Sequence, residues 1–386
     1  MNILIAIVRI ICVIGGFWLV GVTLRSATRT FVVPRSVPDY LPRLIFRLLR
    51  RVYNIRLAYA RTYEEIDGVM VYYAPTALLV LVVASLALIQ IGYTLVYFGV
   101  IGDNLVHAFM LSGSSLLTLG FASVDSPWLA LVAFSEAAIG IVMTALLISY
   151  LPSMYSSFQR REMAVNMLEV RAGSPPSAIE MLLRYQRIGS TDRLYDLWVQ
   201  WEQWFADIAE SHTSLSALTF FRSSQPHHSW VTAAGAVMDA AALSISASAL
   251  PPEPQAALCL RAGYVALRRI CDFFGIVYPV YTDNAADAVI AIRREEFDAA
   301  CDALAAGGVP LKPDRDQAWR DFVGWRANYD IILLALCTLT IAPIAPWSSD
   351  RAPHSIRLPF SVSGKSSRVQ DRPRAQTEAT SAADRR

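Results

Sequence analysis

From residue 62 to residue 159 the sequence has no lysine or arginine. That gap excludes an ordinary water-facing surface over the stretch, because a solvated helix needs charge on its outer face. Charge is scarce throughout: 17% of residues are charged against 54% hydrophobic, and the net charge is +2. So nearly neutral a chain argues against a nucleic-acid partner, since phosphate binding needs a clustered basic face, and the one basic cluster, at 25–61, reads instead as a membrane-surface element. The five cysteines, at 12, 259, 271, 301 and 337, are odd in number and irregularly spaced. They imply neither a disulfide framework nor a metal knuckle, and read as small buried hydrophobes. No Gly-x-Gly-x-x-Gly, Walker loop or Gly-x-Ser-x-Gly is present, so no cofactor and no enzyme is expected. His227-His228 follows Pro226 on a loop without converging ligands, which argues against a metal site, and His212 near a helix end reads as a polar cap. Sustained period-two alternation is also missing, which leaves an all-α reading.

What is present is apolar length. Residues 2–22 are apolar apart from Arg9 and are long enough to cross about 30 Å of hydrocarbon, with Arg9 near enough to one end to snorkel. A cleaved signal peptide fits less well, for want of a basic leader and a cleavage site. From Arg25 to Arg61 nine arginines face the single acid Asp39, and Pro34, Pro38 and Pro42 break the start of the stretch. From Arg43 onward apolar and arginine residues interleave at helical spacing, which suits an amphipathic helix on the inner membrane surface or one packed on a soluble domain. A second span is expected at 74–100 and a third at 128–151, the latter with one charge, Glu136. Arg160 and Arg161 follow it, so the third span should end in the cytoplasm, with the intervening loop and the amino terminus outside.

Beyond Pro152 the sequence reads as successive amphipathic helices. Gly173 stops one. The next opens at Ser177, or at Ser174 with Pro175 in the first turn. Leu194, Leu197, Trp198, Trp201, Trp204 and Phe205 then form one wide apolar stripe. Further helices are expected near 229–249, 254–275, 294–306 and 316–341. The apolar run 331–342 is short for a span, and reads as a buried helix ahead of a fourth crossing. Rich in Ser, Arg and Pro, the tail 348–386 reads as disordered.

Between the second and third spans lies Ser114-Ser115-Leu116-Leu117-Thr118-Leu119-Gly120-Phe121-Ala122. Irregular backbone at membrane depth persists only where it is buried in protein or lines an aqueous path. Residues 105–117 have the length of a half-helix, and the turn after it carries Thr118 and Gly120 where carbonyls can point inward. A ring of such carbonyls replaces the hydration shell of a potassium ion. One chain supplies one loop, so a fourfold ring requires a homotetramer.

Residues 68–152 resemble the two-helix pore domain of bacterial potassium-channel-type proteins, in which a Thr-Val-Gly-Tyr-Gly-like filter is followed by Glu and Gly on the inner helix. Thr118, Leu119, Gly120 and Phe121 stand at the first four filter positions, and Glu136 and Gly140 at the later pair. More narrowly, the chain resembles a bacterial subgroup with a Thr-Leu-Gly-Phe-Gly-Asp filter and soluble motifs that stand here as Arg160-Arg161-Glu162, Arg171 to Ser177 and Glu210-Ser211-His212. The resemblance implies an all-α membrane protein. Its parts would be an N-terminal transmembrane helix (1–24), a basic linker (25–67), a pore domain (68–152, with the filter at 118–122) and a cytosolic helical domain (153–347). It also implies location in the bacterial plasma membrane, and as partners a monovalent cation, the lipid bilayer, three further copies and an unknown cytosolic protein or ligand. Glu136 and Ser115 would support the filter. Gly140 would be an inner-helix hinge or a close-packing residue. Ala122 and Ser123 depart from the Gly-Asp of that filter. Alanine at a left-handed glycine position costs about 1–2 kcal/mol, and Asp125 is the candidate to restore a negative outer mouth. The alternative is a degenerate, non-conducting homologue whose membrane part anchors a partner-binding domain.

Overall fold

The computed structural model describes residues 2–33, 39–102, 104–124, 126–251, 253–279 and 288–351. Among these the chain is helical, with 77% of residues in helices and no strand. Three helices are long and apolar enough to cross a membrane. α1 (Asn2–Phe31) runs past the expected end of the first span and through Arg25 and Arg29. α2 (Tyr40–Leu57) is the amphipathic helix, with Pro42 in its first turn where a missing N–H costs nothing. α3 (Tyr63–Met70) opens on a capping box: Thr62 Oγ1 accepts from the Glu65 N–H, and Glu65 Oε2 from the Thr62 N–H. α4 (Tyr73–Ile101) and α6 (Pro127–Ala172) flank the short α5 (Leu105–Leu116).

α1 lies along α4 on glycines. A Cβ on Gly16 would sit 2.4 Å from the Gly92 carbonyl, and one on Gly99 would sit 2.6 Å from the Arg9 carbonyl. Such small residues let helix backbones approach where lipid supplies no hydrophobic drive. Arg9 does more than snorkel: its Nη2 donates to the Gly102 carbonyl, 3.1 Å away, at the far end of α4. α2 packs at the foot of α4. Tyr73 donates its hydroxyl to the Phe46 carbonyl, and the Phe46 ring meets both Tyr73 and Phe220. Its other face leaves Leu48, Val52 and Ile55 exposed, so the helix contacts the rest of the protein and still presents an apolar outer stripe.

The third apolar helix does not stop at residue 151. α6 continues unbroken through Pro152 for 46 residues. Gly173 ends it at φ 79°, and Ser177, not Ser174, caps α7 (Ala178–Arg187). The Arg171 to Ser177 motif is therefore the turn that reverses the chain. α8 (Leu194–Ser214), α9 (Trp230–Ser246), α10 (Pro254–Phe274), α11 (Arg294–Ala306), α12 (Arg315–Arg326) and α13 (Asp330–Thr340) follow. α8, α9 and α10 pack around Trp198, Trp201 and Phe205, with Met238 and Leu267, in the largest core.

The run expected as one helix over 316–341 is two, bent by 51° between α12 and α13. Arg326 at that bend is fully buried between Asp239 and Asp330 and donates to the Trp347 carbonyl. Leu333 and Leu336 of α13 are buried in the same core. Residues 348–351, read as the start of a disordered tail, are packed: Arg351 holds both carboxyl oxygens of Glu296, at 2.7 and 2.8 Å. The rest of that tail lies outside the described residues. Four cysteines are buried with free thiols, and Cys12 is half-buried.

Candidate functional site

α5 is started by Asn104, whose side chain accepts from the Val106 N–H, and it leans on α4 and α6. Its inner side carries Ser112, which donates to Glu136 Oε1 at 2.6 Å with the Gln90 carbonyl 3.1 Å away. Tyr97 of α4 donates to the other carboxyl oxygen at 3.0 Å. Glu136 is completely buried. A buried carboxyl without donors would cost several kcal/mol, so the two hydroxyls make its position in an apolar helix tenable. The group thereby joins α4, α5 and α6 at one point. One turn along α6, a Cβ on Gly140 would fall 2.1 Å from the Leu116 carbonyl. Of the two roles open to Gly140, the geometry displays close packing against the end of α5.

The turn after α5 is ordered from within. The N–H groups of Leu117, Thr118, Leu119 and Gly120 donate to the carbonyls of Gly113, Ser115, Ser114 and Ser114 respectively. The Ala122 N–H donates to Ser114 Oγ at 3.0 Å. With these donors turned inward, no described residue donates to the carbonyls of Thr118, Leu119 and Gly120. Leu117, Leu119 and Phe121 are each more than half exposed, so the side chains of the turn face away from the rest of the chain. The arrangement leaves three carbonyl oxygens without a described donor on a backbone whose N–H groups at 117–120 and 122 are already used.

Backbone strain falls elsewhere than expected. Gly120 has φ 72°, but Thr118 has φ 54°, and Ala122 is not in the left-handed region. A β-branched residue there is a genuine outlier costing about 1–2 kcal/mol. The penalty assigned to Ala122 is thus absent, and the strained residue is Thr118. Ser115 holds the turn through its carbonyl, which accepts from the Thr118 N–H, more than through its side chain. Its hydroxyl bonds back to the Leu111 carbonyl, and the hydroxyls of Ser112 and Ser114 do the side-chain holding. Asp125 lies outside the described residues. Sequence reasoning missed Ser112 and Tyr97, although an uncharged helix with one acid signals that hydroxyl donors must converge on it.

The chain matches no family model, no curated protein and no solved structure.

Where α6 extends past its apolar span, two of the sequence motifs meet. Arg161 is fully buried and bonds Glu162 Oε1, the carbonyls of Leu218 and Phe221, and His212 Nε2 at 3.3 Å. A guanidinium only donates, so Nε2 is the acceptor and Nδ1 carries the hydrogen toward Ser211 Oγ. His212 is no helix cap: its ring lies 4.6 Å from that of Trp230 in the interior. Burial, and then the Arg161 cation, push its pKa well below the usual 6.5. Of the adjacent histidines His227 is exposed and His228 is buried. His228 is buried between Asn166 and Glu169 of α6, while His227 stacks on Tyr63 and approaches Glu64 of α3. In the same loop Arg222 bonds Asp67, Tyr63 and the Ile341 carbonyl. One loop thus ties α3, the extension of α6 and the end of α13. Among the described residues no group of side chains could hold a metal ion.

Proposed function

We propose that the chain is one subunit of a homotetrameric, potassium-type cation pore in the bacterial plasma membrane. The reading rests chiefly on the turn after α5, whose N–H groups are consumed internally while the carbonyls of Thr118, Leu119 and Gly120 are left without described donors. Four such turns around one axis make stacked oxygen rings that replace the water of a monovalent cation. Leu117, Leu119 and Phe121, exposed in a single copy, pack against neighbouring subunits in that assembly. Ions pass down their gradient, and no covalent chemistry is involved. Glu136, with Ser112 and Tyr97, holds the turn from behind. α6 forms the inner helix, and the helical domain, on the cytoplasmic side, acts on it through its long extension.

The test is reconstitution in planar bilayers with reversal potentials read under opposed potassium and sodium gradients. Native protein should reverse near the potassium potential. Ala122→Gly should change selectivity little, because Ala122 has no left-handed backbone to relieve. Absence of current from verified tetramers of both proteins would sink the pore and favour the membrane-anchor reading.

A further inference from the structure

We infer that the exposed face of α6 beyond the membrane, from Tyr155 to Val170, is a parallel self-association seam that docks onto the same face of a second copy. A span of about 20 residues crosses the hydrocarbon, so a helix entering at Pro127 leaves it near residue 150. Lipid can cover Phe134, Ile141 and Ile148, but not Tyr155, Met163 and Val170, which are 61%, 62% and 74% exposed. These six share one face. Three steps of seven residues, from Phe134 to Tyr155, drift by about 20° each on a straight helix, the following step of eight reverses the drift, and a last step of seven reaches Val170. The seam therefore suits nearly straight helices lying side by side.

A second copy is the occupant, for three reasons. The face runs without interruption from the span into the extension, on one helix, so whatever meets it above continues below. A flanking row, also seven residues apart, places small Ala138 and Ala145 within the span and the amides Gln159 and Asn166 beyond it, all exposed. Small residues permit close approach in lipid, and seam amides fix register. Finally, only span and extension together reach the size of a specific interface: their six apolar residues at roughly 100 Å² each, with the amides beside them, approach ~800 Å² per partner, so the copy that covers the extension also displaces lipid from the span.

The inference rests on the homo-oligomeric reading of the pore. Its test is oxidative cross-linking of the full chain in membranes, with Cys12→Ser as background and Met163→Cys, Val170→Cys and Val289→Cys as single probes. Met163→Cys and Val170→Cys should each give disulfide-linked pairs of chains, and Val289→Cys, at an exposed position off the seam, should not. Met163→Glu should reduce the oligomer measured by light scattering without changing the helical spectrum. If the native protein is an oligomer but neither seam probe cross-links, the seam is wrong and the pore stands. A thiol at 163 that is shielded in the oligomer yet forms no disulfide means another segment covers that face, which also overturns the seam. A monomeric native protein overturns both readings.

Discussion

Glu136 shows how a single residue commits three helices. Removing one donor leaves a buried carboxyl oxygen unmet, so Ser112→Ala should destabilise the protein by about 1–3 kcal/mol, seen as an earlier thermal unfolding midpoint in detergent. Tyr97→Phe should act in the same direction. Gly140→Ala should be worse than its one methyl suggests, because the new carbon meets a backbone carbonyl at 2.1 Å and must push α5 off α6. Loss of the proposed tetramer on native gels, beside unchanged helicity of the domain beyond α6, is the expected outcome. His212 carries the pH dependence. Folded, it stays neutral well below 6.5; unfolded, it takes a proton near 6.5. Acidification through that value lets the unfolded chain bind a proton that the native chain refuses. Stability should then fall by about 1.4 kcal/mol per pH unit below 6.5, and His212→Gln should flatten the slope in thermal melts. Glu296 titrates in a separate window. The Arg351 hydrogen bonds first, and then its backbone bond, hold the carboxyl down to about 2, so its contribution is present above the ordinary carboxyl range and is lost only as pH falls toward 2.

At the scale of elements, charge gaps and turn residues made most helices legible. Gly173, Ser177 and Pro254 mark ends that the backbone respects, because caps and stops are local chemistry. The misreadings share another cause: they depend on contacts distant in sequence. Proline at 152 argues for a break, yet α6 is continuous there. The apolar run after Arg326 looked like the end of one helix, but burial of that arginine between Asp239 and Asp330 sits at a bend. At the site, Thr118, Gly120 and Glu136 were visible as types of residue in a charge-poor setting. Ser112 and Tyr97 were not, since which hydroxyl reaches a carboxyl depends on how the helices cross. The strut from Arg222 to Asp67 was hidden for the same reason. Arg222→Ala should loosen α3 from the end of α13, read as faster amide exchange over α3 while α9 stays protected.

The molecule as a whole is two helical masses joined by one rod and one loop. α6 supplies the rod, about 70 Å from end to end at 1.5 Å per residue. The loop carrying Arg222, His227 and His228 supplies a second tie, so the large domain grips both α3 and α6. That grip is direct on α6, and reaches α4, the other long helix flanking the turn after α5, through the adjoining α3.

The bond from Arg9 to the Gly102 carbonyl spans 93 residues of sequence. During synthesis α1 is complete long before its partner exists. Its arginine has no carbonyl to meet, and its glycines no backbone to lie against, until the ribosome has made the whole of α4. The first helix can therefore complete its docking only once residue 102 has been made, with most of the chain still to follow.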